Sequence, residues 1–563
     1  MCAVLYHGGS PMTVTEKYNA WLACPAMNEE LLNDLRSMDE FARNDSFWRN
    51  LSFGTGGLRG LLGAGTNRMN LFTVARATRG LGRWLKDSFP EPSCAVSFDS
   101  RIHSLDFAQL TSAVFASMGI RVFLYPLLQP TPMLSFAVRH LHASAGVMIT
   151  ASHNPAKYNG YKVYGPDGCQ ITLTDAEQIQ RCIGMENDLC DTLPDFRQYL
   201  EKGIITYISE ETIEAYYQAV WRLRTLPVSE PLHVVYSPLN GAGSIPVREI
   251  LRRMGNIRVT VVPEQEAPDG RFPTCPYPNP EIREAMELSI RRTLEVGADL
   301  CFATDPDSDR MGAGVRAGND VVLISGNDMG ILMLDHLCRN RQASSALPRI
   351  AVKTIVTTEM AAAVCRKYSV ELRNVLTGFK FIGEQIGLLE KEGCPERFLF
   401  GFEESYGYLS GTDVRDKDAV NAALLLCEMA SDLKAQGKTL LTRLEELRKE
   451  FGFFAQRLLT FQYSGENGAR RMNTLMNDMR RPLNILRTGD LPIVRRTDYL
   501  LDDTGLPKSD VLEFVLSEDV KFVVRPSGTE PKLKAYLFAR GADRVSAEKM
   551  LDGLETSVRS LCE

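Results

Sequence analysis

Two short stretches of the sequence concentrate residue types that can do chemistry. In ITASHNPAKYNG, residues 149–160, the hydroxyl of Ser152 sits between an apolar run, GVMIT, and an Asn-Pro turn, with His153 immediately after it. A serine so placed can be a nucleophile, a residue that caps its own turn, or an ordinary loop residue. A Ser-His-acid hydrolase is disfavoured, because neighbours on an extended chain point to opposite sides and no G-x-S-x-G elbow is present. In ATDPDSDR, Asp305, Asp307 and Asp309 crowd three carboxylates into five residues. Such crowding costs free energy unless solvent or a cation offsets it, and oxygen ligands favour a hard cation such as Mg²⁺. Alternate residues of a straight strand lie roughly 7 Å apart, so Pro306 and the following turn must curl the loop if one ion is to be shared. An EF-hand is excluded, since Arg310 and Arg316 stand where that loop needs Gly and Glu.

Other stretches offer groups for anions and hydroxyls. RPSGTEPK, from Arg525 to Lys532, follows the strand-like KFVV and combines a guanidinium, two hydroxyls and a glycine. Those donors and the exposed backbone N–H groups can surround a phosphate, although an ordinary Pro-Gly turn has the same composition. It is not a Walker loop, and QGKT at 436–439 lacks the upstream glycine that motif needs, because residue 432 is Asp. FGTGGLRG permits close backbone approach beside Arg59. GFEESYGY places Glu403, Glu404 and Ser405 after an apolar strand, groups that suit sugar hydroxyls or a helix cap. RDKD, residues 415–418, reads as a solvated charge run in which Lys417 can contact an acid or a phosphate.

The elements that must position these groups follow from periodicity. CAVSF, RVFLYP and GVMIT alternate with the helical FAQLTSAVFASMG as one α/β unit. After RTLPVSEPLH comes a second: HVVYS, IPVREILRRMG, VTVVP, EIREAMELSIRRTLEVG and DLCFAT. A third is read from VVLIS through DMGILMLDHL, RIAVKTIV and VELRNVL to RFLFGF. Beyond about residue 450 the runs RLLTFQY, VLEFVL, KFVV and LKAYLF, closed by a helix, predict a smaller antiparallel α+β domain. The expected divisions are an N-terminal extension 1–40, α/β domains 41–205, 206–320 and 321–447, and an α+β domain 448–563. Ser152, the acidic run and EESYG each lie just past the carboxyl end of a strand, where open α/β sheets commonly bind ligands, so one central cleft between domains is expected.

Composition narrows the function. A net charge of −6 argues against nucleic-acid or membrane-surface binding, so an anionic ligand needs a local basic cluster. Thirteen cysteines without a CxxC pair speak against a disulfide framework or a structural zinc and for a reducing cytoplasm. No signal peptide or membrane-length apolar run is read.

Taken in order, FGTGGLRG, ITASHNPAKYNGYKVYG, ATDPDSDR, GFEESYGY and RPSGTEPK resemble the α-D-phosphohexomutase family over almost the whole chain. TNRMN, PDGRFPT followed by PNPE, and TGFKFIG place it near the phosphoglucomutase and phosphopentomutase branch. The resemblance implies three related mixed-sheet α/β domains and a smaller fourth around a central cleft. It implies that Ser152 carries a phosphoryl group, gives it to a sugar phosphate, and recovers the other phosphoryl group from a reoriented bisphosphate. Mg²⁺ is then held by Asp305, Asp307, Asp309 and an oxygen on Ser152. Arg59, His153, Lys162 and Arg310 match positions near the transferred group, Lys380, Glu403, Ser405 and Lys417 match the sugar region, and Arg525, Ser527, Gly528 and Thr529 match the loop for the nonreacting phosphate. Lys162 and Lys417 are candidates for proton transfer. The implied activity is a phosphoglucomutase primed by glucose 1,6-bisphosphate, with phosphopentomutase and then phosphomannomutase as alternatives, and a noncatalytic sugar-phosphate sensor or a metal-dependent phosphatase as readings from other classes. Gly407 replaces a histidine common in mannose-selective relatives, and Asn240 stands where a histidine is frequent.

Overall fold

A computed structural model describes residues 12–54, 56–341, 347–463, 465–481, 493–526 and 532–562. Three mixed sheets follow in sequence, each with a parallel core extended on one edge by an antiparallel strand. In the first, Ser93–Phe98 lies between Arg121–Leu124 and Ala145–Ile149, both parallel to it, and Ile205–Tyr207 extends the far edge. Tyr158–Tyr164 runs antiparallel to Ala145–Ile149, and Gly57–Leu61 antiparallel to Tyr158–Tyr164. The second sheet has Leu232–Ser237 parallel to Ile257–Val261 and Leu300–Thr304, then Met311–Ala317 antiparallel. In the third, Ile350–Thr354 is parallel to Glu371–Val375 and Phe398–Glu403, and Gly407–Leu409 returns antiparallel. The inner parallel strands Ser93–Phe98, Leu300–Thr304 and Ile350–Thr354 are fully buried and mostly apolar, as strands covered by helices on both faces must be, while edge strands such as Ile257–Val261 and Glu371–Val375 are partly exposed.

One strand changes domain relative to the sequence reading. VVLIS belongs to Asp320–Ile324, the outer strand of the second sheet, not to the third unit. Its partner is MGAGVRA, whose glycines hide a strand from any propensity argument, and a tight turn with Gly318 at φ 65° joins the two. The chain crosses the expected divisions at 205 and 320 inside strands, because sheet pairing sets where each domain ends.

The fourth unit is a five-stranded antiparallel sheet, Phe453–Gln462, Lys532–Gly541, Val520–Pro526, Leu512–Val515 and Arg495–Asp498 in spatial order, with the helix Arg544–Cys562 packed on it. One apolar core runs from Tyr125 and Phe136 of the first domain through Tyr236 and Phe302 to Phe400 and Phe402 of the third. The fourth domain has its own core and meets the third through a small cluster including Val356, Tyr536 and Phe538. Among the described residues no helix is long and apolar enough to cross a membrane, and the twelve described cysteines are free thiols.

From residue 12 onward the N-terminal extension is helical. Helices Val14–Leu22, Glu29–Ser37 and Glu40–Phe47 are N-capped by Thr13, Asn28 and Asp39, which satisfy backbone donors that would otherwise be orphaned. Trp21 packs edge-on against Phe47 at 5.5 Å and against Phe72 of the first domain at 5.4 Å. Trp21→Ala should remove ~3–5 kcal/mol of packing. Hydrogen exchange across residues 14–47 is expected to rise about a hundredfold or more, while protection around Asp305–Asp309 stays unchanged.

Candidate active site

Three loops converge, and all three occupy the same place in their domains: the connection between the edge parallel strand and its antiparallel neighbour. They join Ala145–Ile149 to Tyr158–Tyr164, Leu300–Thr304 to Met311–Ala317, and Phe398–Glu403 to Gly407–Leu409. Each carries a non-glycine residue in the left-handed region, Ser152 at φ 52°, Ser308 at 50° and Tyr406 at 64°. Such a conformation costs about 1–3 kcal/mol, so surrounding contacts must hold it. For the shortest loop the cause is visible: a three-residue hairpin connection closes with a left-handed final residue, here Tyr406.

The left-handed turn at Ser152 overturns the expectation that Ser152 and His153 point apart. Ser152 Oγ lies 3.1 Å from His153 Nδ1 and donates to Asp305 Oδ2 at 2.7 Å, across the first and second domains. Its own N–H donates to Thr150 Oγ1 at 2.8 Å. Burial, followed by the charges of Arg310 and Arg59, pushes the His153 imidazole well below its ordinary pKa, so it is neutral at physiological pH.

The acidic loop curls as a shared ion would require. Asp305, Asp307 and Asp309 are buried, and one carboxylate oxygen from each lies within 4.8 Å of the others. Asp305 Oδ1 accepts the N–H groups of Asp309 and Arg310 at 3.1 and 3.0 Å. Asp307 Oδ2 accepts from Thr131 Oγ1 at 2.9 Å and Lys162 Nζ at 2.7 Å, and Lys162 also reaches Asp309 at 3.3 Å. Lys417 approaches Asp309 at 3.3 Å from the third domain. Burial, then repulsion from its two neighbours, drives Asp305 well above the usual carboxylate range. Burial also penalises the Asp307 charge, but the Lys162 ammonium outweighs it and holds that carboxyl low. Both lysines are likewise held protonated by the carboxylates against the cost of burial. Asp307 Oδ1 and Asp309 Oδ1 remain buried without a hydrogen-bond partner. A hard oxygen donor set with two orphaned carboxylate oxygens fits a divalent cation.

Beside these loops is a cavity of about 960 Å³ lined by Arg59, His153, Arg310, Lys380, Glu403, Ser405 and Arg525 among others. Glu403 Oε1 accepts Gly378 N–H at 3.1 Å, and its Oε2 lies 3.4 Å from Ser405 Oγ. Arg310 donates to Glu281 at 2.8 Å, and Arg525 donates to Thr377 Oγ1 across the third and fourth domains. The cavity therefore offers cations on walls from different domains and carboxylates between them. Ser527, Gly528 and Thr529 lie outside the described residues.

Known proteins are similar to this chain over most of its length. The models of the phosphoglucomutase/phosphomannomutase α/β/α domains I, II and III match residues 50–188, 214–318 and 325–451. The phosphoglucomutase of Staphylococcus epidermidis is 35% identical over 533 residues, covering 92% of this chain and 96% of its own. The chain belongs to the phosphoglucomutase/phosphomannomutase family. The phosphoglucomutase of Staphylococcus aureus is likewise 35% identical, over 88% of this chain and 91% of its own. Two solved structures share the fold at 16% identity: pp63/parafusin from Paramecium, TM-score 0.69 over 91% of this chain and 95% of that one, and a phosphoglucomutase/phosphomannomutase family protein from Burkholderia thailandensis, TM-score 0.67 over 90% and 97%. The protein is thus an α-D-phosphohexomutase, a phosphotransferase of carbohydrate metabolism.

Within this phosphohexomutase the structure corrects one reading and adds residues the sequence did not single out. RDKD is not a solvated run: Arg415, Asp416, Lys417 and Asp418 are 0, 3, 8 and 1% exposed. Asp416 accepts from Lys417 Nζ at 2.9 Å and from Tyr164 of the first domain at 2.8 Å, and Asp418 caps the helix Ala419–Ala435. Four consecutive charged residues look solvated until partners arrive from other domains. Glu281, in PNPE, and Thr131 were equally silent, since only distant residues give them roles. Asn240 does not line the cavity; its side chain donates to the Ala267 carbonyl at 2.8 Å and secures the loop there.

Gly407 stands against the stem of Lys417, and a Cβ there would meet Lys417 Cδ at 2.2 Å. Gly407→Ala should displace the ammonium from Asp309 and Asp416 and lower kcat about tenfold, as measured by steady-state turnover. A pH test concerns Glu404, whose pKa burial and then the Glu403 charge push up to about 7. Between 4.5 and about 7 the folded protein binds a proton there that the unfolded chain has lost, so stability declines as pH rises through that window. The advantage of Glu404→Gln over the parent should grow across it in urea unfolding midpoints.

Proposed function

We propose that the protein is a Mg²⁺-dependent phosphoglucomutase, interconverting α-D-glucose 1-phosphate and glucose 6-phosphate through phosphorylated Ser152, with glucose 1,6-bisphosphate as activator and bound intermediate. The observation that carries this reading is the 2.7 Å contact between Ser152 Oγ and Asp305 at the buried triad, beside a cavity with cationic groups on opposed domains. Asp305, Asp307 and Asp309, with an oxygen of the serine phosphoryl group, would hold Mg²⁺, which supplies charge neutralisation for an in-line transfer.

The chain's own groups do the positioning. Arg59, Arg310 and neutral His153 surround the transferred group, and Arg310 is aimed by Glu281. Glu403 and Ser405 accept and donate hydrogen bonds to sugar hydroxyls, with Lys380 beside them. Arg525 and its loop take the phosphate that is not reacting. Lys162 and Lys417 hold protons at Nζ next to the triad and serve as the proton-transfer groups. Because both ends of the sugar must in turn reach Ser152, the sugar is gripped by a few hydroxyl contacts and turns between half-reactions. Glucose is the favoured sugar because relatives at 35% identity are phosphoglucomutases and because Gly407 removes the histidine of mannose-selective loops. The free thiols support a reducing cytoplasm.

Phosphorus NMR of glucose, mannose, ribose and deoxyribose 1-phosphates with Mg²⁺ and a trace of glucose 1,6-bisphosphate tests the assignment. Glucose 1-phosphate should convert with the highest kcat/KM, and Ser152→Ala should lower turnover at least about a thousandfold. A pentose preference would keep the mechanism and change the substrate. Binding without turnover would indicate a sensor, and steady phosphate release a phosphatase. Asp307→Asn should weaken Mg²⁺ binding in calorimetry.

A further inference from the structure

The motif PDGRFPT and the segment Asp99–Arg101 have no part in the chemistry above, yet they meet directly behind the serine loop. Arg101 follows the strand Ser93–Phe98, and its side chain is fully buried. Its guanidinium donates to carbonyls of the stretch 152–158: Ser152 and Asn154 through Nη2, and Pro155 and Tyr158 through Nη1 at 3.1 and 3.0 Å. Asp99 lies 3.3 Å from Arg101 Nε and accepts the Thr150 hydroxyl at 2.6 Å, and Thr150 Oγ1 in turn accepts the Ser152 N–H. The backbone of Ser152 is therefore gripped on both sides, its amide through Thr150 and its carbonyl through Arg101. A planar fork of donors is suited to that task in a way an ammonium is not.

The opposite face of Arg101 belongs to the second domain. The buried ring of Phe272 lies under the guanidinium, its centroid 5.1 Å from Cζ. Gly270 forms a backbone bridge with Arg101, and a Cβ on Gly270 would come within 2.4 Å of Ile102 N and 2.6 Å of the Ser100 carbonyl oxygen. Only a bare glycine lets the two backbones touch. The Asp269 N–H, donating to the Asn240 carbonyl at 3.1 Å, fixes the loop from behind.

We propose that Arg101 is a positioning residue for phosphoryl transfer, seated by Gly270 and Phe272 of the second domain, and that it holds Ser152 in the left-handed turn that aims Oγ at Asp305. The proposal rests on Ser152 as the phosphorylated residue. Arg101 touches neither the hydroxyl nor the cavity wall, so docking of the first two domains sets the direction of the nucleophile.

The test compares the full-length parent with Arg101→Met, Arg101→Lys, Gly270→Ala and Phe272→Leu, with Mg²⁺ and glucose 1,6-bisphosphate present. It measures kcat, KM and the fraction of Ser152 carrying phosphate by peptide mass spectrometry. Arg101→Met should lose about a hundredfold in kcat with KM held within about threefold, because misplacing a reacting atom by about 1 Å has that effect. Arg101→Lys should fall between, and both second-domain variants should lower kcat about tenfold with KM unchanged. A kcat of Arg101→Met within about threefold of the parent, or a raised KM at parental kcat, would overturn the proposal. Should Arg101→Met fail to fold by circular dichroism, parental kcat in both Gly270→Ala and Phe272→Leu overturns it instead. A parent without phosphate on Ser152, together with an active Ser152→Ala, would remove the underlying reading. A phosphorylated parent with an unimpaired Arg101→Met removes Arg101 alone.

Discussion

Three carboxylates held within 4.8 Å of one another and buried are the constraint around which this molecule is arranged. Two like charges at that distance repel by about 3–4 kcal/mol even at an effective dielectric near 20, more than a single turn can absorb. The compensation comes from outside the acidic loop. Lys162 and Thr131 reach in from the first domain and Lys417 from the third, so the charge balance exists only when three domains are docked. The apolar core that runs through all three does the docking, and the acidic loop is the place where its geometry has chemical consequences. A divalent cation would complete the same balance at the carboxylate oxygens left without partners.

Repetition explains how one cleft is assembled. Each α/β domain places its working loop where the edge parallel strand gives way to an antiparallel one, and each loop turns through a left-handed residue that is not glycine. A reversal there projects side chains past the carboxyl ends of the strands, the place where open sheets bind ligands. Three copies facing one another supply a hydroxyl, a carboxylate cluster and two glutamates on the cavity wall, Glu403 and Glu404. The fourth domain differs in kind: a separate antiparallel sheet with its own core, it adds cations from one side through a limited contact with the third.

Local polarity was a poor guide to burial in this chain. RDKD has the composition of a solvated turn, and the structure buries every residue of it: Tyr164, Tyr216 and Asp309 from other domains partner Asp416, Asp418 and Lys417, and Glu390 of the same domain pairs with Arg415. The Ser-His pair misled in the opposite direction, since the alternation rule holds for extended chain and fails at a left-handed turn.

From the sequence alone came the alternation of strands and helices, the change to an antiparallel domain near residue 450, the position of each polar cluster at a strand end, and the likeness to the phosphohexomutases. These are legible because periodicity and turn chemistry are local properties of the chain. Tertiary structure alone decided that VVLIS belongs to the second sheet, that the N-terminal helices seal onto the first domain, that Glu281 aims Arg310, and that Arg101 grips the serine loop. The last three depend on groups such as Trp21 and Phe72, Glu281 and Arg310, or Arg101 and Pro155, 29 to 54 positions apart and joined by tertiary packing, whereas VVLIS is placed by a hairpin whose other strand is too rich in glycine to be read.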